Sequence, residues 1–281
     1  MNTGLVERIT RSVLYDGFLR SPGQVSVPGG QARCALGVIY PPDALMPAGA
    51  TSELGTQCLV RAPGSAALDL RVRFLHVTPA DLDGGLAGQP LERTVVIDAG
   101  LMETCRRPIC ESFRWPGSEA LGGTRRTIHG DVTVNVEPAG QDGDWFRIDV
   151  SVANSTPAPR VDGLGRRDLL AQSLVATHAV LHVPGGEFAS LLDPPPGATA
   201  AAGRCRHRGL WPVLIGAPGA RDAMLAAPLR LSDYPRTELT DAAARPSLVG
   251  PRRKISIPTR PAGIPGTVAS VSHTGLAGHA R

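Results

Sequence analysis

The sequence predicts a mainly β protein, an antiparallel β-sandwich or barrel-like body with one or two short helices and a disordered C-terminal tail. Three observations carry this. Gly (33) and Pro (26) are abundant in 281 residues, and both interrupt helices and mark turns. Several runs of six to eleven residues have strand character, some alternating strictly between apolar and polar. Near Pro235 the chain changes character. Beyond it there are no aromatic residues, and Pro, Arg, Gly, Ser and Thr dominate.

Taken in order, Ser12–Leu19 reads as a first strand. Cys34–Tyr40 follows and stops at Pro41-Pro42, and Thr56–Arg61 ends before Pro63-Gly64. Leu68–Val77 alternates, with Leu68, Leu70, Val72 and Phe74 on one face and Asp69, Arg71 and Arg73 on the other. That suits a strand with one face in the core and one in water. Arg93–Asp98 is a further run. Thr127–Glu137 and Trp145–Ala153 flank a Gly- and Asp-containing connection and form the best hairpin candidate. His178–Val183 and Leu210–Ile215 complete the strands. Arg166–Ala176 carries Leu169, Leu170, Ser173 and Leu174 at helical spacing behind Asp168 and predicts a helix. Asp81–Leu86 suggests one more helical turn. Residues 1–235 then form one globular domain, and 236–281 a tail with too little apolar surface to offset its ordering entropy.

Charge and cysteine usage narrow the function classes. The net charge is +4, and 236–281 alone holds seven basic and two acidic residues, so the body is near −1. A basic face for nucleic acid is not indicated. No apolar run is long enough to span a membrane, and the polar N-terminus does not resemble a signal peptide. Five widely spaced cysteines (34, 58, 105, 110 and 205) favour free thiols in a reducing compartment. The expected localisation is cytoplasmic.

Candidate site residues fall in three groups. Cys105 and Cys110 enclose four residues, and Cys205 and His207 enclose one. Cysteine and histidine together suit a zinc, nickel or iron ion, but the Cys105–Cys110 spacing is poor evidence for one and better fits two thiols activated by flanking arginines, while Cys34 and Cys58, within apolar runs, read as small core residues. His178 and His182 share a face whether helical or extended, but on a strand they stand about 13 Å apart, too far for one metal. The segment Pro184-Gly-Gly-Glu-Phe-Ala-Ser-Leu-Leu-Asp-Pro-Pro-Pro196 looks purpose-built. Gly185-Gly186 permits a turn of positive φ, and the following prolines hold Asp193 extended. Asp193 is either a catalytic carboxylate or a turn cap through its own side chain. Nucleophile elbow, phosphate loop and dinucleotide fingerprint are all missing, which favours a binding protein over an enzyme.

Several stretches together carry a resemblance: Leu14-Tyr-Asp-Gly-Phe18, Gly37-Val-Ile-Tyr-Pro41, Gln57-Cys-Leu-Val60, Val72-Arg-Phe-Leu75, the run from His178 to Pro195, Trp211-Pro-Val-Leu-Ile-Gly216 and Asp233-Tyr-Pro235. Over residues 12 to 235 the chain resembles an uncharacterised bacterial protein family encoded alongside oxygen-tolerant, high-affinity uptake nickel–iron hydrogenases. The resemblance implies a non-enzymatic accessory or assembly protein whose partner is a hydrogenase subunit or maturation factor. It draws attention to Glu187, Phe188, Asp193 and Trp211 as binding residues. Cys58 and Cys205 match the family pattern, and Cys34, Cys105 and Cys110 do not. After Pro235 the pattern implies an acidic helical segment, and this chain has a basic, Pro-rich one. Two other readings stay open: a metal or cofactor carrier using Cys58, Cys205 and His207, and a hydrolase-like enzyme using Asp193 and His178.

Overall fold

The structure, a computed structural model, describes residues 3–19, 36–42, 50–83, 90–120, 123–140, 144–157 and 165–228. Cys34, the stretch 233–235 and the expected tail 236–281 lie outside the described residues.

The chain opens with a helix, α1 (Thr3–Leu19), followed by strands β1 (Glu53–Arg61) and β2 (Ala67–His76) and a 3-10 turn at Pro79–Asp83. Strand β3 (Leu91–Gly100) runs directly into the short helix α2 (Leu101–Arg106) and then β4 (Ile109–Trp115). A small ribbon, β5 (Ser118–Ala120) and β6 (Gly123–Arg125), precedes the long hairpin of β7 (Ile128–Pro138) and β8 (Trp145–Asn154). The last third holds α3 (Arg166–Leu170), β9 (Val175–His182), β10 (Glu187–Phe188), α4 (Thr199–Ala202), β11 (His207–Arg208), β12 (Trp211–Leu214) and β13 (Ala223–Ala227).

The strands form two main antiparallel sheets. One runs β10-β1-β8-β7-β4, with β11 also pairing β1, and the other runs β12-β13-β9-β2-β3. No described strand is shared between them, so the body is a sandwich and not a closed barrel. The alternating residues that patterned the sequence meet in its middle. Leu68, Leu70, Val72 and Phe74 of β2 share one buried cluster with Val132, Val134 and Val136 of β7 and Phe146, Ile148, Val150 and Val152 of β8. Each such side chain contributes roughly 1.5–3 kcal/mol relative to exposure.

Three expectations need correction. Ser12–Leu19 is not a strand but the second half of α1. Val6, Ile9, Thr10, Val13 and Leu14 are all buried, at i, i+3, i+4, i+7 and i+8, the spacing of one helical face. That face packs on the outer side of β9, β12 and β13 through Val180, Val213, Ala223, Leu225 and Ala227. The polar face of β2 is therefore not uniformly in water. Arg73 lies under the helix at 8% exposure and donates to the Thr10 hydroxyl at 3.0 Å and to Glu92 at 3.1 Å, with Glu7 at 3.0 Å. The helix expected over Arg166–Ala176 closes after Leu170, and Val175–Ala176 already belong to β9. Ala176, at φ +56°, sits where β9 bulges against β2, between the Arg73–His178 and Leu75–Val175 pairs, and its N–H is claimed by the Leu36 carbonyl.

No described helix is long and apolar enough to cross a membrane.

Candidate functional site

The catalytic pair considered from sequence is not assembled. On β9, Ala179, Leu181 and Val183 face the sandwich interior, so His178, Val180 and His182 face outward. His178 is fully buried there, paired in register with Arg73. Its Nδ1–H donates to the Ala176 carbonyl at 3.1 Å, and its Nε2 meets no hydrogen-bond partner among the described residues. Burial pushes its pKa down to about 4, and the Arg73 charge acts in the same direction. It is a neutral ring sealed from solvent. Asp193 stands in the open on the far side of the other sheet, beyond a core about 10 Å thick. The hydrolase-like reading on Asp193 and His178 therefore has no geometry behind it. His182 is outward too, with Nε2 at 3.3 Å from an Asp222 carboxylate oxygen.

The proposed metal ligands are divided by strand parity. Cys58 points into the core and is fully buried. Burial drives its thiol pKa strongly upward. Its neighbour Leu59 points outward, where it packs with Ala198, Ala201 and the half-buried Cys205. The Cys205 thiol leans on the Ala201 carbonyl at 3.6 Å, and burial raises its pKa against the opposing influence of Arg147. The two sulfurs thus lie on opposite faces of β1. His207, opposite Thr56 on β11, has Nδ1 at 3.0 Å from the Thr56 hydroxyl. Cys105 packs toward the core, whereas Cys110 is exposed. Among the described residues, no group of three or more His, Cys, Asp and Glu is placed to hold a metal ion. The set Cys58, Cys205 and His207 is corrected accordingly.

What the structure does build is a braced loop over 184–196. Gly185 turns the chain with φ +72°. At Gly186 a side chain would stand 2.7 Å from Val183 Cγ1, so only glycine fits against the strand below. Glu187 and Phe188 then pair with Arg61 and Val60 as an edge strand. Phe188 is fully buried in the core, which removes it as a partner contact and makes it the plug that seats the loop. Its N–H donates to the Arg221 carbonyl at 2.7 Å, and the Ala189 N–H donates to the Leu59 carbonyl at 2.9 Å. The cap of the following turn is Ser190, not Asp193. The Ser190 hydroxyl oxygen accepts from the N–H groups of Leu192 and Asp193 at 3.1 and 3.0 Å. Past the prolines, the 3-10 turn at Pro196–Ala198 and α4 anchor the exit through Ala198 and Ala201.

Three side chains are displayed on this braced segment. Glu187 is exposed and ion-paired with Arg61 at 2.6 Å. Asp193 is exposed. Leu192 is 67% exposed, more than any other large apolar residue among those described. Trp211 does not join them. It opens β12 opposite Ala227, while the loop is tied at Arg221, beyond the other end of β13, roughly 20 Å of extended chain away. Leu192, Arg61 and Ser190 were not singled out from sequence. In the adjacent pair Leu191-Leu192, only Leu191 packs, against the Leu59 cluster.

Set beside known protein families and curated proteins, the chain matches none of them.

Proposed function

We propose that this chain is a non-enzymatic, cytoplasmic accessory or assembly protein that binds a subunit or maturation factor of a nickel–iron uptake hydrogenase system. The loop 184–196 is the surface it presents. The observation that carries this reading is Leu192. A leucine held in water forgoes roughly 1.5–3 kcal/mol of burial, and here the surrounding backbone is fixed by Phe188, Ser190 and the prolines. A preorganised apolar contact flanked by Glu187 and Asp193 loses little entropy on binding. The class of partner comes from the resemblance, whose two most specific stretches are the one in this loop and Trp211-Pro-Val-Leu-Ile-Gly216. The separation of His178 from Asp193, and of Cys58 from Cys205, supports binding over catalysis.

The test is gentle native co-purification from the host, read by mass spectrometry, for the natural chain and for Leu192→Asp. Hydrogenase components should accompany the natural chain and be depleted with the variant, while the unfolding midpoint moves by less than about 2 °C. Recovery of the protein alone, together with unchanged hydrogen uptake in a deletion strain, would sink the proposal.

A further inference from the structure

The sandwich has one margin that the chain closes and one that it leaves open. At the closed margin, β10 and β11 both pair with β1, and Gly55 bridges to Gly209. At the other margin one sheet ends on β4 and the other on β3, and among the described residues no strand pairs with the free side of either. None of the seven residues of β4 is buried, although Ile109, Phe113 and Trp115 pack against the core. Of the four large apolar side chains that stand exposed among the described residues, Leu91, Val96 and Met102 all lie on β3 or on α2, which joins β3 to β4. Two opposite charges at this margin also stay unmatched within one chain. Glu111 stands opposite the core residue Val132 and so projects to the core side, yet it is exposed and has no ion pair among the described residues. Arg93, opposite Phe74, projects to the same side. Its guanidinium lies over the Trp115 ring at 4.6 Å, its Nε is buried with no hydrogen-bond partner, and it too has no ion pair among the described residues. Glu111 precedes Trp115 by four residues, about 13 Å of strand, which keeps it from the Arg93 of its own chain.

A two-fold axis normal to the sheet brings them together. It would add β4 of a second copy antiparallel to the first, with the core-facing side chains of both on one side. Residues directly opposite each other share a face, so the axis must pass through a residue, and charge selects which one. Through Glu111 or Arg114 it would set that charge against its own counterpart. Through Ser112 it would leave Glu111 opposite Phe113 and Arg114 opposite Cys110, with neither charge matched. Through Phe113 it sets Glu111 opposite Trp115 of the second copy, beside the Arg93 that covers that ring, and the symmetry makes this pair twice. On the outer face the same register sets Arg114 opposite Ser112 of the second copy, whose hydroxyl donates to Asp131 at 2.6 Å. At the axis Phe113 meets its counterpart and extends the stack it already makes on Phe74 at 5.6 Å. We infer that β4 is the dimer interface of this chain, paired antiparallel with β4 of a second copy about an axis at Phe113. Main-chain hydrogen bonds join the sheets, and the Glu111–Arg93 pairs fix the register. The assembly closes at two, because the axis uses up this edge and β10 and β11 occupy the other.

This surface is separate from the 184–196 loop, and its test does not depend on the hydrogenase reading. The full chain is sedimented over a micromolar concentration series, with amide hydrogen exchange measured at both ends of the series. A species of dimer mass should appear as concentration rises, and exchange should slow within 109–115. Glu111→Arg and Arg93→Glu should each weaken the dimer by about tenfold or more, since each breaks both ion pairs and sets like charges together. Glu111 is exposed, so its variant should unfold within about 2 °C of the natural chain. Mixing the two folded variants should recover a dimer with one copy of each, because every reversed charge then meets its opposite. A chain that stays monomeric throughout, slowed exchange confined to other segments, a dimer indifferent to Glu111→Arg, or folded variants that stay apart on mixing would each overturn the inference. A hydrogenase component bound at loop 184–196 by a monomeric chain would leave the proposed function standing and remove this one.

Discussion

Lowering the pH should destabilise this protein through His178. The ring is buried between β9 and α1, with Arg73 opposite it in register and Thr10, Glu7 and Glu92 gathered around that guanidinium. Its folded pKa is about 4, lowered by burial from the ordinary 6.5. The unfolded chain therefore binds the proton more readily than the folded one. Stability is complete above pH 6.5 and is lost as pH falls from there toward 4. With each pKa unit equivalent to about 1.4 kcal/mol, the loss from this one ring is about 2 kcal/mol at pH 5 and about 3 kcal/mol near pH 4. His76, whose pKa burial also lowers to about 4, adds a loss of the same sign.

The perturbation that isolates His178 is His178→Leu, which fills the space and cannot titrate. It also removes the bond to the Ala176 carbonyl, a cost of about 1 kcal/mol that is the same at every pH. Urea unfolding at pH 8, 6 and 5 separates the two effects. The variant's stability should fall less steeply than the natural chain's, by about 2 kcal/mol between pH 8 and 5. Two parallel curves would refute the argument, because they would mean that the ring is reached by water and protons in the folded state.

Arg73→Met should cost about 2 kcal/mol in the same assay. The value lies below the usual 3–5 for a broken buried pair, because Glu92 and Glu7 retain 24% and 54% side-chain exposure and can rehydrate. The variant should also flatten the acid dependence, since Arg73 is one of the charges opposing His178 protonation; a change within about 0.5 kcal/mol would show that the helix does not depend on this contact. Among the described cysteines, maleimide labelling of the folded chain, followed by peptide mass spectrometry, should modify the exposed Cys110 first. Cys105 and Cys205 should follow slowly and Cys58 only on unfolding, in keeping with their burial. Early labelling of Cys58 would contradict its place in the core.

The parts of the fold legible in the sequence are those in which a strand has one dry face. Strand β2 and the β7–β8 hairpin alternate because a single sheet face meets the core, and their bounds fall within a residue or two of the sequence reading. Strand β13 escaped that reading for the opposite reason. Met224 and Ala226 face the core while Ala223, Leu225 and Ala227 lie beneath α1, so both faces are dry and no period of two exists. Helix α1 is not legible from Ser12 onward alone. Its helical spacing starts at Val6, inside a stretch rich in polar residues.

The site was less legible, because its chemistry depends on which way each residue points and on what lies above it. Cys58 and Cys205 look like partners in a list of cysteines. The single step from Cys58 to Leu59 places them on opposite faces of β1. His178 looks available until α1 covers it, and that covering follows from residues 170 positions earlier in the chain. In the loop, the motif's most conspicuous residues proved to be its supports. Phe188 is spent on anchoring, and Asp193 receives its geometry from Ser190. The residue left facing solvent is Leu192, which drew no notice because leucine is expected to be inside. Under the proposed binding role, the informative side chain is the apolar one that the fold holds outside, and only the packing of its neighbours shows which one that is.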